Sequence, residues 1–152
     1  MRNILFVTVF LIISFQNLFS QTLNFRVYSL DDGIPQSQVH AILQDKKGFL
    51  WFASEGGLTV YDAKQFITLT STEGLCNDVV YALAEDKEEK LWIATAKGIS
   101  IMQNRKFLPL PDALKPLAEL IVRALVIDSK GEIYFGTNKG AFVYDGKSLK
   151  EI

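Results

Sequence analysis

The sequence predicts an all-β chain of four-stranded antiparallel units, each about 41 residues long and repeated about three times. Three observations carry this. Residues 39–66, 80–107 and 122–149 align without a gap, so that Asp45, Asp86 and Asp128 coincide, as do Trp51, Trp92 and Tyr134, and Gly57, Gly98 and Gly140. Each copy breaks into short apolar runs separated by turns containing Asp or Gly. No stretch after residue 20 keeps a helical period; Asp112–Leu120 is the one place for a turn or two of helix. Four short strands in a period near 40 make the blade of a β-propeller, here an incomplete or open one; another all-β stack of the same period is the alternative.

Residues 1–20 stand apart from the repeat. Arg2 is a short positive start, Ile4 to Phe15 is an apolar run, Gln16 and Asn17 end it, and Ser20 is small. That is the layout of a secretory signal peptide, with a short membrane anchor as the alternative. The run falls short of the ~20 apolar residues a spanning helix needs. The expected mature chain, residues 21–152, then holds no membrane span and is periplasmic or secreted.

The repeat starts early. Phe25 lies 41 residues before Phe66, and Gly33 lies 41 before Gly74, so residues 25–29 are expected to be the last strand of a preceding blade within a partial propeller spanning 21–152. The first strand of the first full copy is Val39–Gln44, matched by Val80–Glu85 and Val122–Ile127. Asp45 to Gly48 is hairpin chemistry: Asp bonds its own backbone two residues on, and Gly accepts positive φ. The second strand is expected at Phe49–Ser54. The third is Leu58–Asp62, where Leu58 and Val60 alternate with Thr59 and Tyr61, and the fourth is Gln65–Thr70. The aromatic residue at one fixed place per copy is expected to pack blade against blade, each ring burying roughly 150–250 Å².

Composition excludes several functions. Sixteen Lys and Arg against 17 Asp and Glu leave a formal charge of −1, so no field draws in nucleic acid or an anionic membrane. One Cys, Cys76, and one His, His40, exclude an internal disulfide framework and any multi-Cys or multi-His metal centre. No cofactor, metal site or catalytic set is expected. The repeated Asp residues read as turn formers, and Lys46, Lys47 and residues 87–90 as solvated hairpin tips. Cys76 reads as a chemically unimportant loop residue. His40, whose place is taken by Tyr81 and Arg123 in the other copies, reads as a channel-lining or core residue.

The tract Asp45-Lys46-Lys47-Gly48-Phe49-Leu50-Trp51-Phe52-Ala53-Ser54, followed by Gly57-Leu58, Tyr61-Asp62 and Phe66, resembles the two-component-regulator propeller repeat. The second copy keeps Asp86, Leu91 to Thr95, Gly98-Ile99 and Phe107. The third keeps Asp128, Gly131, Ile133 to Thr137, Gly140 and Tyr144-Asp145-Gly146. Departures are Glu89 for the turn Gly, Tyr134 for Trp, and Leu117 to Leu120 in place of the Gly-Leu that precedes a first strand. A WD repeat does not fit, since neither Trp has the Asp of that motif beside it. Quinoprotein propellers share an Asp-x-x-Gly near Trp and are the nearest competitor.

The resemblance implies a non-catalytic, extracytoplasmic sensory propeller of the kind that precedes a histidine kinase, with a glycan or other extracellular ligand as its signal. The kinase output lies outside these residues. About three blades fall short of the 4–8 of a closed ring. The expectation is therefore an N-terminal piece of a longer sensor or a remnant of one; further blades or a second chain completing the ring is the third possibility. A structural or protein-interaction propeller is the alternative function, and a quinoprotein-like enzyme a lesser one. Propeller topology places candidate ligand contacts on one rim: Gln36, Ser37, Gln38, Ser54, Glu55, Asn77, Asp78, Ala96, Lys97, Asn138 and Lys139.

Overall fold

The computed structural model describes residues 25, 27–29, 33–34 and 38–152. The expected signal peptide lies outside them, as do Gln36 and Ser37. Twelve strands form three separate four-stranded antiparallel sheets, each with its strands in chain order. Blade 1 holds β1 (Val39–Gln44), β2 (Leu50–Ser54), β3 (Gly57–Tyr61) and β4 (Phe66–Leu69). Blade 2 holds β5 (Val80–Glu85), β6 (Leu91–Thr95), β7 (Gly98–Gln103) and β8 (Lys106–Leu108). Blade 3 holds β9 (Val122–Ile127), β10 (Ile133–Thr137), β11 (Gly140–Tyr144) and β12 (Leu149–Glu151). The first strands are innermost: β5 lies against both β1 and β9. Short 3-10 helices at Ser71–Glu73 and Asp112–Leu117 sit in the two connections between blades.

Strand alternation becomes blade stacking. In β6 all five residues are buried, because blade 2 is covered on both faces. Leu91 and Ile93 face blade 1, in a core with Trp51, Val60, Leu75 and Met102. Trp92 and Ala94 face blade 3, in a core with Ile101, Leu114, Leu117, Ile133, Phe135 and Tyr144. The alternation expected in β3 does not separate inside from outside, since Thr59 is as buried as Leu58. Its hydroxyl is satisfied by Thr68 at 3.0 Å on the neighbouring strand.

The aromatic position shows the same logic. Trp51 and Trp92 are buried, at 4% and 5% exposure, while Tyr134 on the outer face of blade 3 keeps 36%. Each indole is also anchored. Trp51 Nε1–H donates to Asp45 Oδ2, and Trp92 Nε1–H to Asp86 Oδ2, both at 2.8 Å. Asp45 Oδ1 meanwhile accepts from the Lys47 and Phe49 amides. One carboxylate thus closes the hairpin and holds the ring that packs on the next blade. In blade 3 a phenol cannot make that bond to Asp128, and Tyr134 donates to Glu132 instead, at 3.3 Å. Partial burial, then the Glu132 and Asp128 carboxylates, push the Tyr134 phenol above its ordinary pKa.

The Tyr-Asp tract builds the last turn of blades 1 and 3. Asp62 Oδ1 accepts from Lys64 and Gln65, and Asp145 Oδ1 from Lys147 and Ser148. The Ser148 and Lys147 amides, with the Ser148 hydroxyl, hold the Asp145 carboxyl down to about 2. Blade 2 has Gln103 there and makes the turn with Asn104 and Arg105, both at positive φ. Glu89 also sits at φ 61, strained where the other two blades have Gly48 and Gly131.

The hairpin tips are exposed, but they are not idle. Lys46 Nζ donates to the carbonyls of Asp86 and Lys87 at 2.8 and 3.0 Å, and Lys87 Nζ to that of Ser129 at 2.7 Å. Each blade's tip is thereby tied to the next. Among residues 25 and 27–29 no strand is assigned. Tyr28 nonetheless packs edge-on against Phe66 and shares a 3.2 Å hydrogen bond with Tyr61. Gly33 approaches Phe66 as Gly74 approaches Phe107, so the early residues meet blade 1 as the first connection meets blade 2.

Candidate ligand-binding face

Most of the described rim residues have their polar atoms consumed by the turns they build. Ser54 is 1% exposed, and its hydroxyl donates to Gly57 and accepts from Gly56. Asn77 Oδ1 accepts from Val79 at 3.0 Å, Asp78 Oδ1 from Ser71 at 2.6 Å, and Asn138 Oδ1 from Ile121 at 3.0 Å. Ala96 donates its amide to Val79 at 2.9 Å, which pins the second-to-third-strand turn beside the loop entering β5. Lys97 lies 3.5 Å from Glu119. Gln38, Glu55 and Lys139 remain exposed at this end, and the Lys139 amide is held by Thr137.

A second feature lies just inside this rim. In β1 the register slips between Val39 and Ala41, in β5 between Val80 and Ala82, and in β9 between Val122 and Ala124. The extra residue in each case is His40, Tyr81 or Arg123. A β-bulge leaves one residue unpaired and re-aims its side chain, a device common beside binding sites. Here it is repeated at one height on three adjacent inner strands.

The three side chains form a ladder. The His40 and Tyr81 rings lie 5.3 Å apart, and the Arg123 guanidinium lies 5.0 Å above the Tyr81 ring. His40 Nε2 is buried without a hydrogen-bond partner, and the Glu55 carboxylate is 3.9 Å away. A buried polar atom left unpaired has a cost. Chemically the ladder offers an aromatic face, a planar cation and an imidazole in a row. It offers no nucleophile–base pair, and among the described residues no cluster of His, Cys, Asp or Glu is arranged to hold a metal. Cys76 is an exposed free thiol whose Sγ lies 3.2 Å from the Thr95 hydroxyl.

The comparisons with known proteins agree with the blade geometry. The family described as two component regulator propeller matches residues 33–56 and 74–97. Both stretches run from the glycine before a blade's first strand to the turn after its second. The first two blades thus each carry a stretch similar to that family. No curated protein matches the chain in sequence.

Among solved structures, the repeats resemble the extracellular domain of a B. thetaiotaomicron protein described as a hybrid two component system. The TM-score is 0.69 at 21% identity, over 90% of this chain and 19% of that one. A second B. thetaiotaomicron extracellular domain, described as part of a one component system, matches with a TM-score of 0.50 at 18% identity, over 88% of this chain and 23% of that one. The chain therefore spans about a fifth of the length of those structures.

The bulged ladder was not visible in the sequence as a site. The one signal was the alignment of His40, Tyr81 and Arg123, three large polar side chains at a position where neighbouring columns are apolar.

Proposed function

We propose that the chain is a non-catalytic, extracytoplasmic sensory module of a two-component regulator, and that it binds an acidic oligosaccharide across its inner strands. The observation that carries this is the triple bulge presenting His40, Tyr81 and Arg123 side by side. A sugar ring stacks on an aromatic face, and a guanidinium pairs with a carboxylate or sulfate in a fixed geometry. The leader-like residues 1–20 and the extracellular neighbours support placement outside the cytoplasm. Among the described residues no helix is long and apolar enough to cross a membrane.

The test is a binding panel of neutral and uronate-containing oligosaccharides against the purified chain, by calorimetry. Acidic members are expected to bind, and Arg123→Gln to weaken them at least tenfold, the ~1.4 kcal/mol floor of a lost charge-assisted bond. Neutral members should be little affected by that variant. A panel with no binder, alongside capture of a protein partner on the same face, would replace the sensory reading with an interaction propeller.

A further inference from the structure

The wedge between blades 1 and 2 and the wedge between blades 2 and 3 are built from equivalent positions, yet one is closed and the other open. In the first, Phe49 fills the mouth and the Arg105 guanidinium caps its ring at 4.6 Å, leaving only about 50 Å³. In the second, Lys90 stands where Phe49 does, and Gly146 where Asn104 does. The result is a cleft of about 330 Å³. Its walls are Trp92, Ile101 and Leu108 of blade 2 and Ile133 and Tyr144 of blade 3. This lies at the hairpin-tip end, opposite the rim and away from the bulged ladder.

The cleft has a charge signature. Lys87, Lys90 and Lys130 line it with Asp86 and Glu88. The Lys87 ammonium is engaged by Ser129, and Asp86 is engaged by the Trp92 indole and the Lys90 amide. Among the described residues the side-chain ammonium groups of Lys90 and Lys130 have no hydrogen-bond or ion-pair partner. An apolar slot of this size with a few polar groups at its edge is the ordinary form of a small-molecule site.

We infer that the cleft between blades 2 and 3 is a second binding site, taking a small amphipathic anion. An aromatic or short aliphatic body lies against Ile101, Leu108 and Ile133, beside the edges of the Trp92 and Tyr144 rings, and a carboxylate or sulfate meets Lys90 and Lys130. This site rests on its own observation and stands whether or not the inner strands bind saccharide.

The probe is 3-phenylpropionate, with neutral 3-phenylpropanamide as its control, added to the Trp51→Phe chain so that Trp92 is the sole indole emitter. Titration by the anion is expected to change Trp92 emission with a dissociation constant below about 1 mM, and the amide to bind at least tenfold more weakly. Lys90→Phe should close the mouth as Phe49 does and abolish the response. Lys90→Gln combined with Lys130→Gln, which leaves the walls intact, should reduce the preference for the anion to less than about twofold. Equal binding of anion and amide, no response to either, or a response unchanged in both lysine variants overturns the site.

Discussion

Trp92→Ala is expected to lower the unfolding free energy by about 3–5 kcal/mol, the range for emptying a large buried aromatic site. Trp92 is the ring that joins blade 2 to blade 3, lying 6.4 Å from the Phe135 ring and 6.1 Å from the Tyr144 ring. Its removal leaves a void on one side and an Asp86 oxygen without its indole donor on the other. Tyr134→Ala, at the equivalent place in blade 3, should cost less than about 1.5 kcal/mol, because that ring is more than a third exposed and holds only a surface hydrogen bond. Urea unfolding followed by circular dichroism measures both. Similar losses for the two variants would mean that the repeated aromatic does not act through the next blade.

Gly98→Ala is the second large effect, at about 2–5 kcal/mol, from two costs acting together. Gly98 has φ 83, in the region that L side chains avoid. A Cβ there would also stand 2.9 Å from the Ala118 carbonyl oxygen and 3.0 Å from its Cα, in the connection that leads into blade 3. That connection is held by the Gly98 amide, which donates to Leu120 at 2.7 Å. Gly140→Ala meets only the flexible Glu151 carboxylate, at 3.5 Å, so it carries the strain of φ 119 without the collision. It should cost roughly 1–3 kcal/mol. The difference between the two variants in thermal or urea unfolding reports the close approach alone; no difference would mean that the connection yields freely.

These effects show why the architecture was legible. A fixed period, an aromatic at one column and Gly where φ must be positive are each set by local chemistry repeated in register, and three copies reinforce one another. The features that were harder to read depend on pairing rather than composition. Whether His40, Tyr81 and Arg123 bulge is decided by how β1, β5 and β9 align with their neighbours, and no single strand records it. The dual role of Asp45 and Asp86 needed the indole six residues on to fold back. Lys46 and Lys87 look solvated along the chain, and only blade stacking brings the next tip's carbonyls within reach.

The rim shows a different ambiguity. A polar loop residue serves equally well to build a turn or to meet a ligand. Ser54, Asn77, Asp78 and Asn138 have their side chains committed to the turns, while Glu55 is left beside His40. The alternation in β3 marks two faces without making either one solvent: a blade with both faces covered buries its polar positions as well, provided they pair, as Thr59 does with Thr68.

Recognition on the inner strands, at the bulged ladder, is read most directly at His40. His40 is the one histidine of the chain, so its ring-proton NMR signal is a unique reporter of that place. The direct measurement is that signal during titration with the same neutral and uronate-containing oligosaccharides. Acidic members are expected to move the His40 signal in the wild-type chain, and Arg123→Gln to suppress the shift. A saccharide that binds while leaving the His40 signal in place, or a panel that never moves it, would rule out recognition at the ladder.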